Sequence, residues 1–141
     1  MLREGTSRFC TIAVAHLDRS GPTTRLTVAV GGHPEPLILR ADGRVEATGA
    51  GGTLIGLVDD PTLSDTRTDL KPGDAVLLYT DGVTEADAPR RVWTPEQLEA
   101  LVAQLAGATA QEIVDRVADA ALSGLTAPRD DVAMLALRLR S

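Results

Sequence analysis

The chain has 141 residues, 43% of them hydrophobic, which suits one globular domain over residues 1–141 with a core of its own. Its 20 acidic and 14 basic residues leave a net charge of -6, and no Lys/Arg cluster forms a stripe, which argues against a nucleic-acid partner. With one Phe, one Tyr and one Trp, the core volume must come from Leu, Val, Ile and Ala, and base stacking is poorly served. No apolar run approaches the length of a membrane span, and residues 1–8 lack a hydrophobic signal core, so a cytoplasmic protein without a membrane partner is expected. Cys10 has no second cysteine to pair with and sits in an alternating apolar run, where a buried inert thiol is expected.

In chain order, the first half reads as strands. Residues 9–17 and 24–30 are rich in β-branched side chains and flank Asp18-Arg19-Ser20-Gly21-Pro22, a turn that suits a hairpin. A second hairpin is predicted for residues 36–40 and 44–47, around Ala41-Asp42-Gly43. Residues 49–64 show no period; glycine-dense at first and stopped by Asp59-Asp60-Pro61, they read as a loop or flap with Leu54, Ile55 and Leu57 as apolar docking groups. Residues 66–70 and 75–80 make two more strands joined by Lys71-Pro72-Gly73-Asp74. The second is apolar on both faces and belongs in the centre of a sheet.

Two helices follow, each with its start written in the sequence. Thr94-Pro95-Glu96-Gln97 combines an N-cap, a proline at the first helical position and a Gln at N3, ahead of Leu98, Leu101, Val102 and Leu105 on one face, with Gly107 as the stop. Trp93 stands where it can staple onto Leu98. Thr109-Ala110-Gln111-Glu112 is a second capping box, opening a helix with the stripe Ile113, Val114, Val117, Ala118, Ala121 and Leu122. The last strand is predicted over residues 131–139, with Val132, Met134 and Leu137 inward. Strands, then helices, then a strand argue for an α+β layered domain.

The chemistry concentrates at two aspartates. Asp81 follows the most apolar strand and Asp130 precedes the last one, so antiparallel neighbours can bring both carboxylates to one sheet edge. Carboxylates on rigid strand ends suit Mg²⁺ or Mn²⁺, which take oxygen ligands in fixed geometry. Asp-Gly after a strand is also common as a turn, and Asp-Asp before one as polar punctuation, so spacing leaves both readings open. His33, in Gly31-Gly32-His33-Pro34, either contacts phosphate or shapes a tight turn. His16, alternating with apolar neighbours on the first strand, reads as structural. Arg90 and Arg91 suit phosphate by geometry but read more simply as a solvated basic pair.

The ordered segments Gly31-Gly32-His33-Pro34-Glu35-Pro36-Leu37-Ile38-Leu39, residues 70–86 around Thr80-Asp81-Gly82-Val83, and Asp130-Asp131-Val132-Ala133-Met134-Leu135 closely resemble the stage II sporulation protein E-type serine phosphatases. These are a bacterial branch of the metal-dependent PPM-type protein phosphatases. The resemblance runs from about Phe9 to the C-terminus and implies an α-β-β-α sandwich of antiparallel sheets with outer helices. It also implies a pair of Mn²⁺ or Mg²⁺ ions at one end of the sheets and hydrolysis of phosphoserine or phosphothreonine by a metal-activated water. The expected substrate is a bacterial regulatory phosphoprotein of the anti-sigma-factor-antagonist kind. By motif match, Asp81 and Asp130 take the places of two carboxylates that bind one metal. Gly82, Asp131 and His33 are accessory, and Asp131 is not expected to be a primary ligand. Resemblance further implies a regulatory switch within residues 49–64.

Nothing before Phe9 resembles the family's upstream Gly-Asp and Asp-Gly elements, the second of which bridges both metals. The chain is therefore expected to cover about the last two thirds of the domain, with strands missing from one sheet and one outer helical layer absent. Two carboxylates alone bind Mg²⁺-like ions weakly, which makes a catalytically incomplete binding or regulatory module the alternative to an active phosphatase. Unpaired edges left by missing strands also predict self-association into a homodimer.

Overall fold

The computed structural model describes residues 8–140. Two antiparallel sheets stack face to face, and helices cover the outer face of only one of them. The chain runs β1 (Ile12–Asp18), β2 (Thr24–Gly31), β3 (Leu37–Leu39), β4 (Val45–Ala47), β5 (Thr66–Leu70), β6 (Ala75–Tyr79), α1 (Asp81–Thr84), α2 (Pro95–Ala103), α3 (Ala110–Leu122) and β7 (Met134–Arg138). One sheet has the order β1-β2-β5 and the other β4-β3-β6-β7. Both predicted hairpins form, with Ala15 opposite Val28 in the first and Ile38 opposite Glu46 in the second.

Alternation along β3, β6 and β7 divides the core into two layers. Ile38 and Val76 point between the sheets, where they meet Leu26, Val28, Val30 and Leu70, with Leu137 and Leu139 packed alongside. Leu37, Leu39, Ala75, Leu77 and Tyr79 point the other way, against Leu98, Val102, Ile113, Val117 and Ala121 of α2 and α3, joined by Val132, Met134 and Ala136. β6 thus feeds both layers, as its apolar sequence requires, and lies inside its sheet between β3 and β7. Each fully buried Leu, Ile or Val in these layers contributes about 1.5–3 kcal/mol.

Both capping boxes close. The Thr94 hydroxyl accepts from Gln97 N–H while the Gln97 side chain accepts from Thr94 N–H; Thr109 and Glu112 repeat the exchange. α2 ends at Ala103, and a tighter turn, in which Leu105 N–H donates to the Val102 carbonyl, carries the chain to Gly107 at φ +85. Trp93 packs in the same cluster as Leu98, consistent with the expected staple.

Lys71-Pro72-Gly73-Asp74 forms the expected turn, and because β5 pairs with β2 whereas β6 pairs with β3 and β7, it carries the chain from one sheet to the other. Two local readings differ from the sequence. Cys10 is exposed rather than buried. It lies ahead of β1 at the edge of the three-stranded sheet, exchanging two backbone hydrogen bonds with Ile55. β7 begins at Met134 rather than near Asp131, since the backbone of residues 130–133 is engaged in the contacts described below.

The sheet β1-β2-β5 bears no helix on its outer face among the described residues. Val14 and Ile12, which pair with Ala29 and Gly31 on that face, remain 51% and 40% exposed. The arrangement is the expected sandwich with helices on one side.

Candidate metal centre

The register of the four-stranded sheet brings the two aspartate segments together. β6 and β7 pair through Tyr79 opposite Met134, and one further rung follows, with Thr80 N–H donating to the Ala133 carbonyl at 3.0 Å. Thr80 is extended (φ -86, ψ 159) and its side chain does not cap α1. Its hydroxyl instead donates to the Asp131 carbonyl and accepts from Ala133 N–H, each at 3.0 Å. This clasp fixes residues 131–133 against the end of β6. Gly82 completes it: the residue is buried, and a Cβ there would collide with the Asp131 carbonyl oxygen.

Asp81 stands at the start of α1 and Asp130 just before the clasp, both exposed at the same end of the sheet. One carboxylate oxygen of Asp130 accepts from Asp131 N–H at 2.7 Å, which orients the group and leaves its second oxygen for another partner. Asp131 contributes its backbone to the clasp while its side chain stays exposed.

His33 comes to the same end from the other sheet. After Gly32 at φ +62, the segment of residues 32–36 crosses from β2 in one sheet to β3 in the other. His33 Nδ1 lies 3.3 Å from the Thr11 hydroxyl, and the half-buried ring lines a cavity of about 210 Å³ with Leu78, Thr80, Ala133 and Leu135. Residues 49–64 fold over this end as well. Gly32 N–H donates to the Gly52 carbonyl, Thr53 N–H to the Thr62 carbonyl, and Ala50 N–H to the Thr66 hydroxyl, while Leu54 packs on Gly32.

Arg90 and Arg91 are not simply a solvated pair. Arg90 is exposed and bonds Asp87, but Arg91 donates to the Ala121 carbonyl at the end of α3 and lies over the Trp93 ring, 5.8 Å from its centroid. Neither has a contact with Asp81 or Asp130 among the hydrogen bonds and ion pairs of the described residues.

Sequence reasoning missed Thr80. A hydroxyl directly before Asp-Gly at a strand end is the signal that could have found it, because only that position faces the neighbouring strand's departing backbone. Chemically, the pair of carboxylates suits a hard divalent cation as two oxygen donors. It does not complete a coordination shell: among the described residues no group of three or more His, Cys, Asp or Glu side chains is placed to hold a metal.

A family model for stage II sporulation protein E (SpoIIE) matches residues 1–140. The chain is similar in structure to the phosphatase domain of the cell fate determinant SpoIIE from Bacillus subtilis, presoaked with Mn, at a TM-score of 0.75 and 19% identity over 94% of this chain and 57% of that one. It is also similar to the RsbU and RsbW domains of Rv1364c from Mycobacterium tuberculosis (TM-score 0.69, 27% identity, 92% of this chain and 36% of that one). A third likeness is to the Mycobacterium tuberculosis serine/threonine phosphatase PstP/Ppp (TM-score 0.58, 17% identity, 90% and 59%). In each case the chain spans less than two thirds of the relative's length. With the fold, the clasped aspartate segments and the family match over nearly its whole length in agreement, the chain belongs to the stage II sporulation protein E family.

Proposed function

We propose that this chain belongs to a metal-dependent protein serine/threonine phosphatase domain, acting on a bacterial regulatory phosphoprotein of the anti-sigma-factor-antagonist kind. The observation that carries the reading is the clasp, which holds Asp81 and Asp130 at one edge of a rigid sheet inside a chain whose family is established. Asp81 and Asp130 would serve as two oxygen ligands of Mn²⁺ or Mg²⁺. Such an ion, when bound, activates water for attack at phosphorus. Thr80 and Gly82 act through the backbone, keeping the carboxylates in place, and the Asp131 N–H orients Asp130. His33 is offered as an accessory group at the same end. A cytoplasmic setting fits this role, and no helix of the described residues is long and apolar enough to cross a membrane.

A second reading is favoured by one observation, the lack of a third donor among the described residues. On it, the chain alone is a catalytically incomplete member that binds a partner, and self-association through the β1 edge, unpaired among the described residues, belongs to that reading. Phosphate release from p-nitrophenyl phosphate at saturating Mn²⁺ separates the two. Release that is abolished in Asp81→Asn supports the phosphatase reading for this chain; no release leaves the incomplete module, and release unchanged in Asp81→Asn overturns the role given to Asp81.

A further inference from the structure

A second cavity, of about 300 Å³, opens on the helical side of the sheet, next to the aspartate end but separated from it by α1. Asp81 begins that helix and Thr84, at its end, lines the cavity. Its walls are Trp93, Tyr79, Pro34 and Pro95, and two carboxylates, Glu35 and Glu99, share the lining. The volume sits at the lower limit of small-molecule clefts, roughly 300–1,000 Å³, and so suits one long side chain better than a cofactor.

Three features of the lining point to a cation. Glu35 and Glu99 are both half-buried, and neither forms an ion pair with Lys, Arg or His among the described residues. Two carboxylates without a cationic partner thus face one partly apolar recess, a lining that attracts a cation. The Tyr79 side chain lies in the helix-side layer and lines this cavity, and its hydroxyl, which makes no hydrogen bond among the described residues and is not sealed from solvent, is free to meet a ligand. Burial, then Glu99 and Glu35, push the Tyr79 hydroxyl pKa up, which keeps it neutral and able to bridge to a ligand or a carboxylate. Finally, the aromatic walls can hold an alkyl stem and face a cationic head. Arg91 already stacks on Trp93, but it lines a different cavity and does not fill this one.

We propose that this cavity binds one arginine or lysine side chain presented by a protein partner, with Trp93, Tyr79 and the two prolines holding its stem and Glu35 and Glu99 its charge. Identifying that partner with the phosphoprotein substrate rests on the phosphatase reading; the cavity's preference for a cation does not. A basic residue of the substrate held here would seat the phosphorylated segment across α1, towards Asp81.

The test uses Trp93, the single tryptophan, as its own reporter. The intact chain is titrated with N-acetyl-arginine amide and, as a neutral isostere, N-acetyl-citrulline amide, following Trp93 fluorescence. Saturable binding of the arginine compound is expected, at least about tenfold tighter than the citrulline compound. In the Glu35→Gln/Glu99→Gln double variant, checked for folding by near-ultraviolet circular dichroism, the preference should vanish. Equal binding of the two compounds by the wild-type chain, or no binding of either, overturns the proposal even if the variant fails to fold. Asp81→Asn must leave the arginine titration unchanged. Arginine binding without phosphate release would refute the phosphatase reading alone, and phosphate release without arginine preference would refute the cavity alone.

Discussion

The two ends of the sandwich are built on opposite principles. At the end where β3 leaves and β6 enters, Asp74 is 2% exposed and its carboxylate is saturated, accepting from Lys71 N–H, Ala41 N–H and the Arg40 guanidinium at 2.9–3.0 Å. Arg40 in turn makes a two-pronged contact with Glu46. At the other end, Asp81 and Asp130 are exposed, and the polar groups that position them are backbone amides, a threonine hydroxyl and a glycine without a side chain. One end spends its charges on locking the turn between two sheets. The other keeps its charges unspent, and charges left unspent on a rigid edge are what a ligand site needs.

The contrast can be broken most severely at the locked end. Asp74→Ala leaves two amides without an acceptor and strips the Arg40 guanidinium, 16% exposed in its side chain, of one of its two carboxylate partners, and is expected to cost about 2–4 kcal/mol in denaturant unfolding. Burial raises the Asp74 pKa, but the Lys71 amide, Arg40 and the Ala41 amide together outweigh it, so the net shift is downward. Glu46 is also lowered, chiefly by the Arg40 hydrogen bonds. A carboxyl whose folded pKa lies below its unfolded one stabilises the fold fully above the usual carboxylate range and loses that contribution as pH falls through the folded value. Stability should therefore fall in acid, below about pH 4, and Asp74→Asn should flatten that fall, as thermal unfolding across pH 2–7 would show.

At the site end, Gly82→Ala is the sharpest intervention. Its Cβ must displace the Asp131 backbone, at a cost of about 1–3 kcal/mol, and amide shifts should centre on residues 80–83 and 130–133 while those around Asp74 stay still. A smaller effect of opposite sign is expected at Thr48, whose buried hydroxyl has no partner among the described residues and which lies just after β4, towards the site end. Thr48→Val removes that unsatisfied group at nearly constant shape and should raise stability by about 1 kcal/mol by the same unfolding measurement.

Local chemistry made much of the locked scaffold legible. Asp42-Gly43 and the two Thr-x-x-Gln/Glu boxes specify their turn and caps with residues adjacent in sequence, and the structure forms all three. The turn at residues 71–74 was legible as a turn but not as a crossing between sheets, because its residues fix a reversal while the partners of β5 and β6 are distant in the chain, β2 and β3 well before it and β7 beyond all three helices. Cys10 misled for a related reason: alternation shows which residues share a face, not whether another layer covers it. The aspartate pair was legible as two strand-end carboxylates, yet the groups that bring them together, the Thr80 hydroxyl and the missing Cβ of Gly82, act across the sheet and leave little trace in local pattern. The arginine cavity was illegible because Glu35, Tyr79, Trp93 and Glu99 come from separate segments that only the helix-on-sheet packing assembles.

Whether Asp81 and Asp130 form one cation-binding edge can be read from paramagnetic broadening of backbone amide signals as Mn²⁺ is added to the chain. Residues 80–83 and 129–132 are expected to broaden first and together, and Asp81→Asn to remove the effect from both segments at once. Broadening of one segment without the other, or an unchanged pattern in Asp81→Asn, would contradict a shared edge.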